Sequence, residues 1–343
     1  MNANRETILA HLGNSTTPVS GHALAEKMGL SRTGIWKHIQ ALRKQGIDIE
    51  SHAGRGYQLK SDVLNTSMFT GRLKTQRIGS HVMVLDETDS TNREVMRQAE
   101  SGADEGLVII ADFQTQGRGR LGRSWHTAGH DSLAISILLR PNISPEQVPQ
   151  LSLLTAVALQ QALAAHAPET RIKWPNDLLF HGAKIAGILT EMRAEPGQVH
   201  AVVLGIGLNV QKPANGWPKE ITQKVTDLCS SSGKYVSRLT IASEIIQAID
   251  DCYDIYIKRG FAPIRKLWWD AHAASGQLVR AHHGNGRDGG YVEGIAEALD
   301  EDGALLLRVG DKLQRFIAGD LELIDNGSMN HASTDHASMD QPA

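Results

Sequence analysis

The stretch Gln114–Trp125, QTQGRGRLGRSW, contains GRGRLG, a literal G-x-G-x-x-G, and the choice between two folds turns on it. In a dinucleotide-binding turn that string follows a strand, opens a helix and is answered by an acidic residue about 20 positions on. Residues 107–113, LVIIADF, read as the strand. After the last glycine the chain runs RSWHTAGH, with no apolar period of 3.6, and then enters a second strand-like run, SLAISILL at 132–139. The stretch therefore joins two strands. Its glycines alternate with Arg118, Arg120 and Arg123. Glycine lets a backbone approach a ligand closely, and arginine brings forked donors to anionic oxygens. The loop reads as a clamp for a diphosphate or a phosphate–carboxylate pair, loose when empty because its cations repel, ordered when filled. A solvated basic loop or a nucleic-acid contact is the plainer alternative. Trp125 offers a flat face to a base or an apolar ligand.

Outward from that loop, residues 69–272 mix strands and helices without βαβ regularity. Strands are expected at 81–86, 107–113, 132–139, 170–174, 184–192 and 199–210, and helices at 91–101, 147–166, 240–258 and 261–273. Pro196-Gly197 joins two strands as a hairpin. This is an α+β layer, a mixed sheet with helices on one side. Residues 276–325 are short strands with Gly-rich turns at Gly284–Gly286, Gly289–Gly290 and Asp302–Gly303, which suit a small β-barrel. Residues 326–343 repeat HASTD and HASMD, polar and small, and are expected to stay disordered. Their two histidines, without rigid partners, are no metal site.

The first 60 residues read as three helices and a hairpin. Ser20 opens a second helix that Gly29 stops; Ser31 caps a third, with Ile35, Ile39 and Leu42 as its buried stripe. Two short strands then flank Ala53–Gly56, completing a winged helix-turn-helix. The third helix carries Arg32, Lys37, His38, Arg43 and Lys44 and no acid. Ser31, Arg32, Thr33, Lys37, His38 and, in the wing, Arg55 are the candidate DNA-binding residues. Net charge is −3 over 343 residues, but residues 1–62 hold eight Lys/Arg against five Asp/Glu. A basic head on an acidic body agrees with nucleic-acid binding. No apolar run is long enough to span a membrane and no secretory signal is visible, and two cysteines make no framework, so a cytoplasmic protein is expected.

Three further elements carry chemistry. In Asp86–Asn92, DETDSTN, Thr91 and Glu94 fit a capping box, and Ser90, Thr91 and Asn92 set polar groups at a helix start, suited to a head group such as a urea. In Arg171–Asp177, RIKWPND, Lys173 and Asp177 bracket a turn built on Pro175. In Lys184–Glu191, KIAGILTE, a lysine opens an apolar strand; aimed inward it is a fixed cation beside a ligand. Gly187, Gly205 and Gly207 remove side chains where a ligand could lie on the sheet.

Taken in order, Ser90–Asn92, Gly117–Trp125, Lys173–Asp177, Lys184–Leu189 and Gly205–Asn209 resemble the motifs of the biotin protein ligases, and the winged head resembles the branch that also represses the biotin operon. The resemblance covers residues 1–325 and departs at Leu121, where the best-known member carries arginine. It implies domains at 1–64 (winged helix), 65–274 (ligase, class II synthetase-like) and 275–325 (SH3-like barrel). It implies a two-step reaction: biotin and ATP give biotinyl-5′-AMP, and a lysine of a biotin carboxyl carrier protein then takes the biotin. Lys184, Arg118 and Arg120 are the implied catalytic cations. Ser90, Thr91, Asn92, Gln114, Gly117, Gly119 and Gly187, with those cations, would bind biotin. Arg123, Trp125, Lys173, Asn176, Asp177 and Asn209, with Arg118 and Arg120, would bind the adenylate. Asp177 would orient the amine or a magnesium ion that comes with ATP; no protein metal site is expected. Operator DNA and a homodimer formed on biotinyl-AMP are the implied partners. A lipoate or octanoate ligase, and a non-catalytic biotin-sensing repressor, are the alternatives.

Overall fold

The computed structural model describes residues 3–15, 17–69, 71–127, 129–282 and 290–324. They fall into two compact units, one running to Ala273 with Glu301–Gly303 added, the second beginning at Ala274.

The first unit opens with α1 (Ala3–Gly13), α2 (Gly21–Met28) and α3 (Arg32–Lys44), then β1 (Ile49–His52) and β2 (Gly56–Leu59). Ser20 caps α2 by accepting from the His22 and Ala23 N–H groups, and Gly29 ends it in the left-handed region. Ser31 caps α3, accepting from Gly34 N at 3.0 Å. Ile8, Leu9, Leu24, Ile35, Ile39 and Leu42 make the small core, each essentially inaccessible to solvent. Val19 pairs with Tyr57 by a single antiparallel bridge at the edge of the wing. This is the expected winged helix-turn-helix. Residues 61–68, read from sequence as a linker, are instead packed: Leu64 and Met68 are buried, and Asp62 accepts from the buried Arg238.

A seven-stranded sheet comes next. Its strands are β3 (His81–Thr88), β4 (Leu107–Gln114), β5 (Ser132–Leu139), β6 (Thr170–Lys173), β7 (Asp177–Phe180), β8 (Ala183–Glu195) and β9 (Gln198–Asn209), in the order β3-β4-β5-β9-β8-β7-β6. The helices are α4 (Thr91–Glu100), α5 (Val148–Leu163), the short α6 (Leu228–Ser232), α7 (Arg238–Arg259) and α8 (Ala262–Asp270). The loop at Gln114–Trp125 joins β4 to the antiparallel β5, as its sequence indicates. β3 and β4 are parallel, with α4 between them in sequence, the one βαβ crossover in a sheet whose other pairs are antiparallel. One expectation needs correction: helices lie on both faces. Val95 and Ala99 of α4 pack with Leu107, Ile109, Leu138 and Val203. α5, α7 and α8 pack on one another, with α5 against β8 and β9 and α7 against β5. All eight residues of β5 are buried, even-numbered and odd-numbered alike, as two covered faces require.

α4 covers only part of its face. Gly205 lies under its first turn, against Asn92; beyond it that face carries Gly187 and Gly207, and the candidate site lies there.

The second unit is an antiparallel sheet of β10 (Leu278–His282), β11 (Tyr291–Leu299), β12 (Leu305–Val309), β13 (Lys312–Phe316) and β14 (Asp320–Leu323), in the order β13-β12-β11-β10-β14. Val279, Ala281, Ala296, Leu305, Leu307 and Leu321 are its buried side. The turns expected at Gly284–Gly286 and Gly289, and the 326–343 tail, lie outside the described residues. Among the described residues, no helix is long and apolar enough to cross a membrane.

Candidate active site

The sheet register lines the sequence motifs up in one row. Lys173 pairs with Asp177, Asp177 with Gly187, Gly187 with Gly207, and Gly207 with Ala134. Paired residues share a face, so KWPND, KIAGIL and GIGLN meet on one strip. Lys184 would not join it by simple alternation, because positions 184 and 187 have opposite parity. The β7–β8 register shift corrects this: Leu178 pairs with Ala186, but Leu179 pairs with Lys184. The bulge leaves Ile185 unpaired and turns Lys184 onto the face of Asp177 and Gly187. The Lys184 Nζ lies 2.8 Å from Asp177 Oδ1, and both side chains are only 16% exposed. The same ammonium stands 5.7 Å from the centre of the Trp125 ring. That indole lies on Gly207, where a Cβ would collide with it, and a Cβ at Gly187 would sit 3.1 Å from Lys184 Cε and 3.3 Å from Trp125 Cζ3. Lys184 is therefore turned inward, against the loop that the arginines occupy.

One strand position away, a chain of polar groups runs under the loop. Arg118 Nη1 pairs with Glu191 Oε1 at 2.9 Å. The other Glu191 oxygen accepts from Asn92 Nδ2 at 2.8 Å. Asn92 Oδ1 accepts from Ser136 Oγ at 2.6 Å, and Ser136 Oγ and Thr91 Oγ1 are 2.7 Å apart. Gln114 Oε1 accepts from the Thr91 N–H at 2.8 Å and lies 3.1 Å from its hydroxyl. Ser136 has one proton and Asn92 Oδ1 can only accept, so that proton goes to Asn92 and fixes its amide. Ser90, Thr91, Asn92 and Gln114 are all buried, and Gly205 leaves room for the Asn92 amide, with which a Cβ would collide. The capping box expected from Thr91 and Glu94 does not form. Ser90 is the N-cap residue, Thr91 is the first residue of the helix and turns to Gln114, and Glu94 bonds to Arg97 and Gln98. Asp89 fastens the helix start, accepting from the Ser90 N–H and pairing with Arg97 and Arg93; the Arg97 hydrogen bond above all holds its carboxyl far below the usual carboxylate range.

The arginine loop is a closed hairpin. Gly119 N donates to Arg123 O at 2.7 Å, Trp125 N to Gly117 O at 2.9 Å, and Arg118 bridges Ser124. Its tip is Leu121–Gly122, and Leu121 takes a φ of +58°, a left-handed conformation that a side chain disfavours. The repulsion expected to loosen the loop is answered at Arg118 by Glu191. Arg120 donates to Asn176 Oδ1 at 3.0 Å, next to Asp177, and Asn176 is itself fixed on Ile188 by two hydrogen bonds. The structure thus gathers Arg118, Arg120, Trp125, Asn176, Asp177, Lys184 and Gly187, with Lys173 at the end of their row. Asn209 stands further along the same face and donates to Thr226 O at 3.0 Å; Thr226 N in turn donates to Lys184 O. It is joined to the cluster through Thr226. Arg123 sits beside the tip of the hairpin, its main chain bonded to Gly119 and Arg120.

Sequence reasoning missed two participants. Ser136 is one of two hydroxyls in an otherwise apolar strand, and Glu191 is the acid that ends KIAGILTE at the parity of Gly187. Those are their signals. Among the described residues, no group of three or more His, Cys, Asp or Glu could hold a metal ion. On the head, Arg32, Thr33 and Lys37 are exposed along α3, His38 is half-buried, and Arg55 lies on the wing within 3.3 Å of His52 Nδ1.

Known proteins match this chain along most of its length. Residues 84–209 match the biotin/lipoate A/B protein ligase family, 4–58 a helix-turn-helix domain, and 284–323 the biotin protein ligase C terminal domain. The bifunctional ligase/repressor BirA of Bacillus spizizenii is 38% identical over 308 residues, 89% of this chain and 94% of that one. BirA of Escherichia coli is 30% identical over 311 residues, 89% and 92% of the two chains. The structure of the biotin protein ligase from Aquifex aeolicus in complex with biotin and ATP superposes with a TM-score of 0.60 at 26% identity, over 71% of this chain and 99% of that one. Fold and site define a biotin/lipoate-type ligase domain behind a helix-turn-helix head. The chain belongs to the family of bifunctional biotin protein ligase/repressors.

Proposed function

We propose that this site joins the biotin carboxylate to the α-phosphate of ATP, releasing pyrophosphate, and then passes biotin from biotinyl-5′-AMP to the ε-amine of a carrier-protein lysine. The observation that carries the reading is the inward turn of Lys184 at the β8 bulge, between Asp177 and the Trp125 hairpin. A carboxylate attacking a phosphate sets anion against anion, so the enzyme must supply fixed positive charge and alignment. Lys184 is the central cation, reaching both the carboxylate and the α-phosphate oxygens. Arg118 and Arg120 bind phosphate oxygens and, with the hairpin, keep water from the mixed anhydride. Ser90, Thr91, Asn92 and Gln114 take the ureido ring. Trp125, whose Nε1 is buried without a hydrogen-bond partner among the described residues, packs on the glycine floor and walls the ligand site. Lys173, Asn176 and Asn209 border the adenylate, with Arg123 at its edge.

Magnesium fits as an ion carried by the ATP phosphates, which keeps several of its waters. Asp177 would hold it, or orient the incoming amine, once Lys184 has turned to substrate. When bound, the ion neutralises phosphate charge.

With ATP and magnesium, the protein should convert biotin, and neither lipoate nor octanoate, to an acyl-adenylate identified by mass. A lipoyl or octanoyl adenylate in comparable yield would place it with the lipoate-type ligases. No adenylate at all would make it a ligand-sensing repressor. We further propose a cytosolic protein that dimerises on biotinyl-AMP and sets two winged heads on a two-part operator. Sedimentation with biotin and ATP should show self-association that is absent without them; equal association in both would contradict this.

A further inference from the structure

Among the described residues of the winged head, Trp36 is the exposed large apolar side chain. It lies in the first half of α3, and its side chain is 52% exposed. The head core does not need it, because Ile35, Ile39 and Leu42 already fill that side of the helix with no exposure. Arg32, Trp36 and Arg43 share one stripe at helical spacing. Arg43 uses that stripe to reach the wing, donating to Ile49 O at 2.9 Å and Ser51 Oγ at 2.7 Å. Trp36, two turns earlier, is left flanked by exposed Arg32, Thr33 and Lys37. α3 contains no acidic residue, so the surface around the ring suits a polyanion.

We propose that Trp36 is a specificity-determining residue that reads thymine in the major groove; this rests on the proposed binding of operator DNA by the winged head. The residues that open a recognition helix are those that meet base edges. Arg32 and Lys37 suit phosphates or guanine. Phosphate contacts carry no sequence information. An indole face needs an apolar partner, and the one apolar group that the base pairs present in that groove is the C5-methyl of thymine.

Uracil substitution tests this, because it removes that methyl and leaves the pairing edge intact. Sites are selected from random duplex DNA with the full chain, biotin and ATP, and each thymine is then replaced by uracil in turn. For the wild type, one replacement should weaken binding about 10-fold, as a single wrong base pair does. Trp36→Ala should bind about 10-fold more weakly, lose that discrimination and keep its salt dependence and adenylation activity. Lys37→Ala should do the reverse, flattening the salt dependence and keeping the discrimination. Trp36→Phe, which keeps a ring and is the milder change for folding, should retain part of it. Indifference of the wild type to every replacement, or full discrimination in Trp36→Ala, would overturn the proposal. If no sequence is enriched and duplex binding shows no salt dependence, DNA binding by the head itself fails, and the inference falls with it.

Discussion

Glu191 holds two side chains at once, and its two oxygens do different work. One carries the charge that fixes Arg118; the other orients Asn92. Replacing it separates these roles. Glu191→Ala should free the Asn92 amide and raise the KM for biotin about 10-fold, the scale of one lost hydrogen bond to a charged group, with the KM for ATP little changed. Glu191→Gln keeps an acceptor for Asn92 and should restore most of the biotin KM while leaving Arg118 unpaired. Ser136→Ala should act like Glu191→Ala, since its proton fixes the other end of the same amide. Steady-state kinetics with each substrate varied decides it. An unchanged biotin KM in Glu191→Ala would mean that Ser136 and Leu189 O, 3.2 Å from the amide nitrogen, suffice to hold Asn92.

At the scale of elements, the site is a glycine floor with a bulge at one end and a hairpin on top. Gly207→Ala tests the floor. The added methyl meets the Trp125 ring, so the hairpin must lift; biotin affinity should fall at least about 10-fold, with a shift in tryptophan emission. Unchanged affinity and emission would show that the ring does not rest there. The elements differ in how far the sequence announced them. The arginine loop showed itself as a strand-to-strand connection because no helical period comes after it. The helix-turn-helix was readable from Gly29, Ser31 and the Ile35–Ile39–Leu42 stripe, and the β8–β9 hairpin from Pro196-Gly197. All of these are local signals. The bulge at Ile185 is not, because it exists only in the pairing of β7 with β8, and Lys184 by itself reads as the wrong parity. The capping of α4 was misread for a similar reason: the Thr91 hydroxyl is claimed by Gln114, 23 residues on. The packing of 61–68 was hidden because Asp62 looks like an ordinary surface acid until the buried Arg238 is seen beside it.

Arg238 works at the scale of the whole first unit. It is wholly buried, pairs with Asp62 after the wing and with Asp112 on β4, and lies 3.2 Å from His130, beyond the arginine loop. Arg238→Met leaves two carboxylates without their cation and should cost roughly 3–5 kcal/mol, read from urea unfolding. A loss under about 1 kcal/mol would show that the network is not needed. The folded unit also has a titrating weak point in His272. It is stacked on Trp268 at 4.6 Å, with Nδ1 2.9 Å from Ile172 O, and burial pushes its pKa down to about 4, against the carbonyl's opposing effect. The unfolded chain takes this proton below about pH 6.5, the folded chain only near 4. Its contribution is therefore full above pH 6.5 and is lost as pH falls toward 4. Between about pH 7 and 5 the wild type should lose about 2 kcal/mol that His272→Gln does not. Equal losses in the two proteins would assign the pH sensitivity elsewhere. Convergent cations are tested most directly by single-turnover formation of biotinyl-AMP in Lys184→Ala beside the wild type, with circular dichroism confirming the fold of both. The expected rate is at least about 100-fold lower, the usual cost of removing one group that stabilises transition-state charge; a well-folded Lys184→Ala protein that makes the adenylate at the wild-type rate would contradict it.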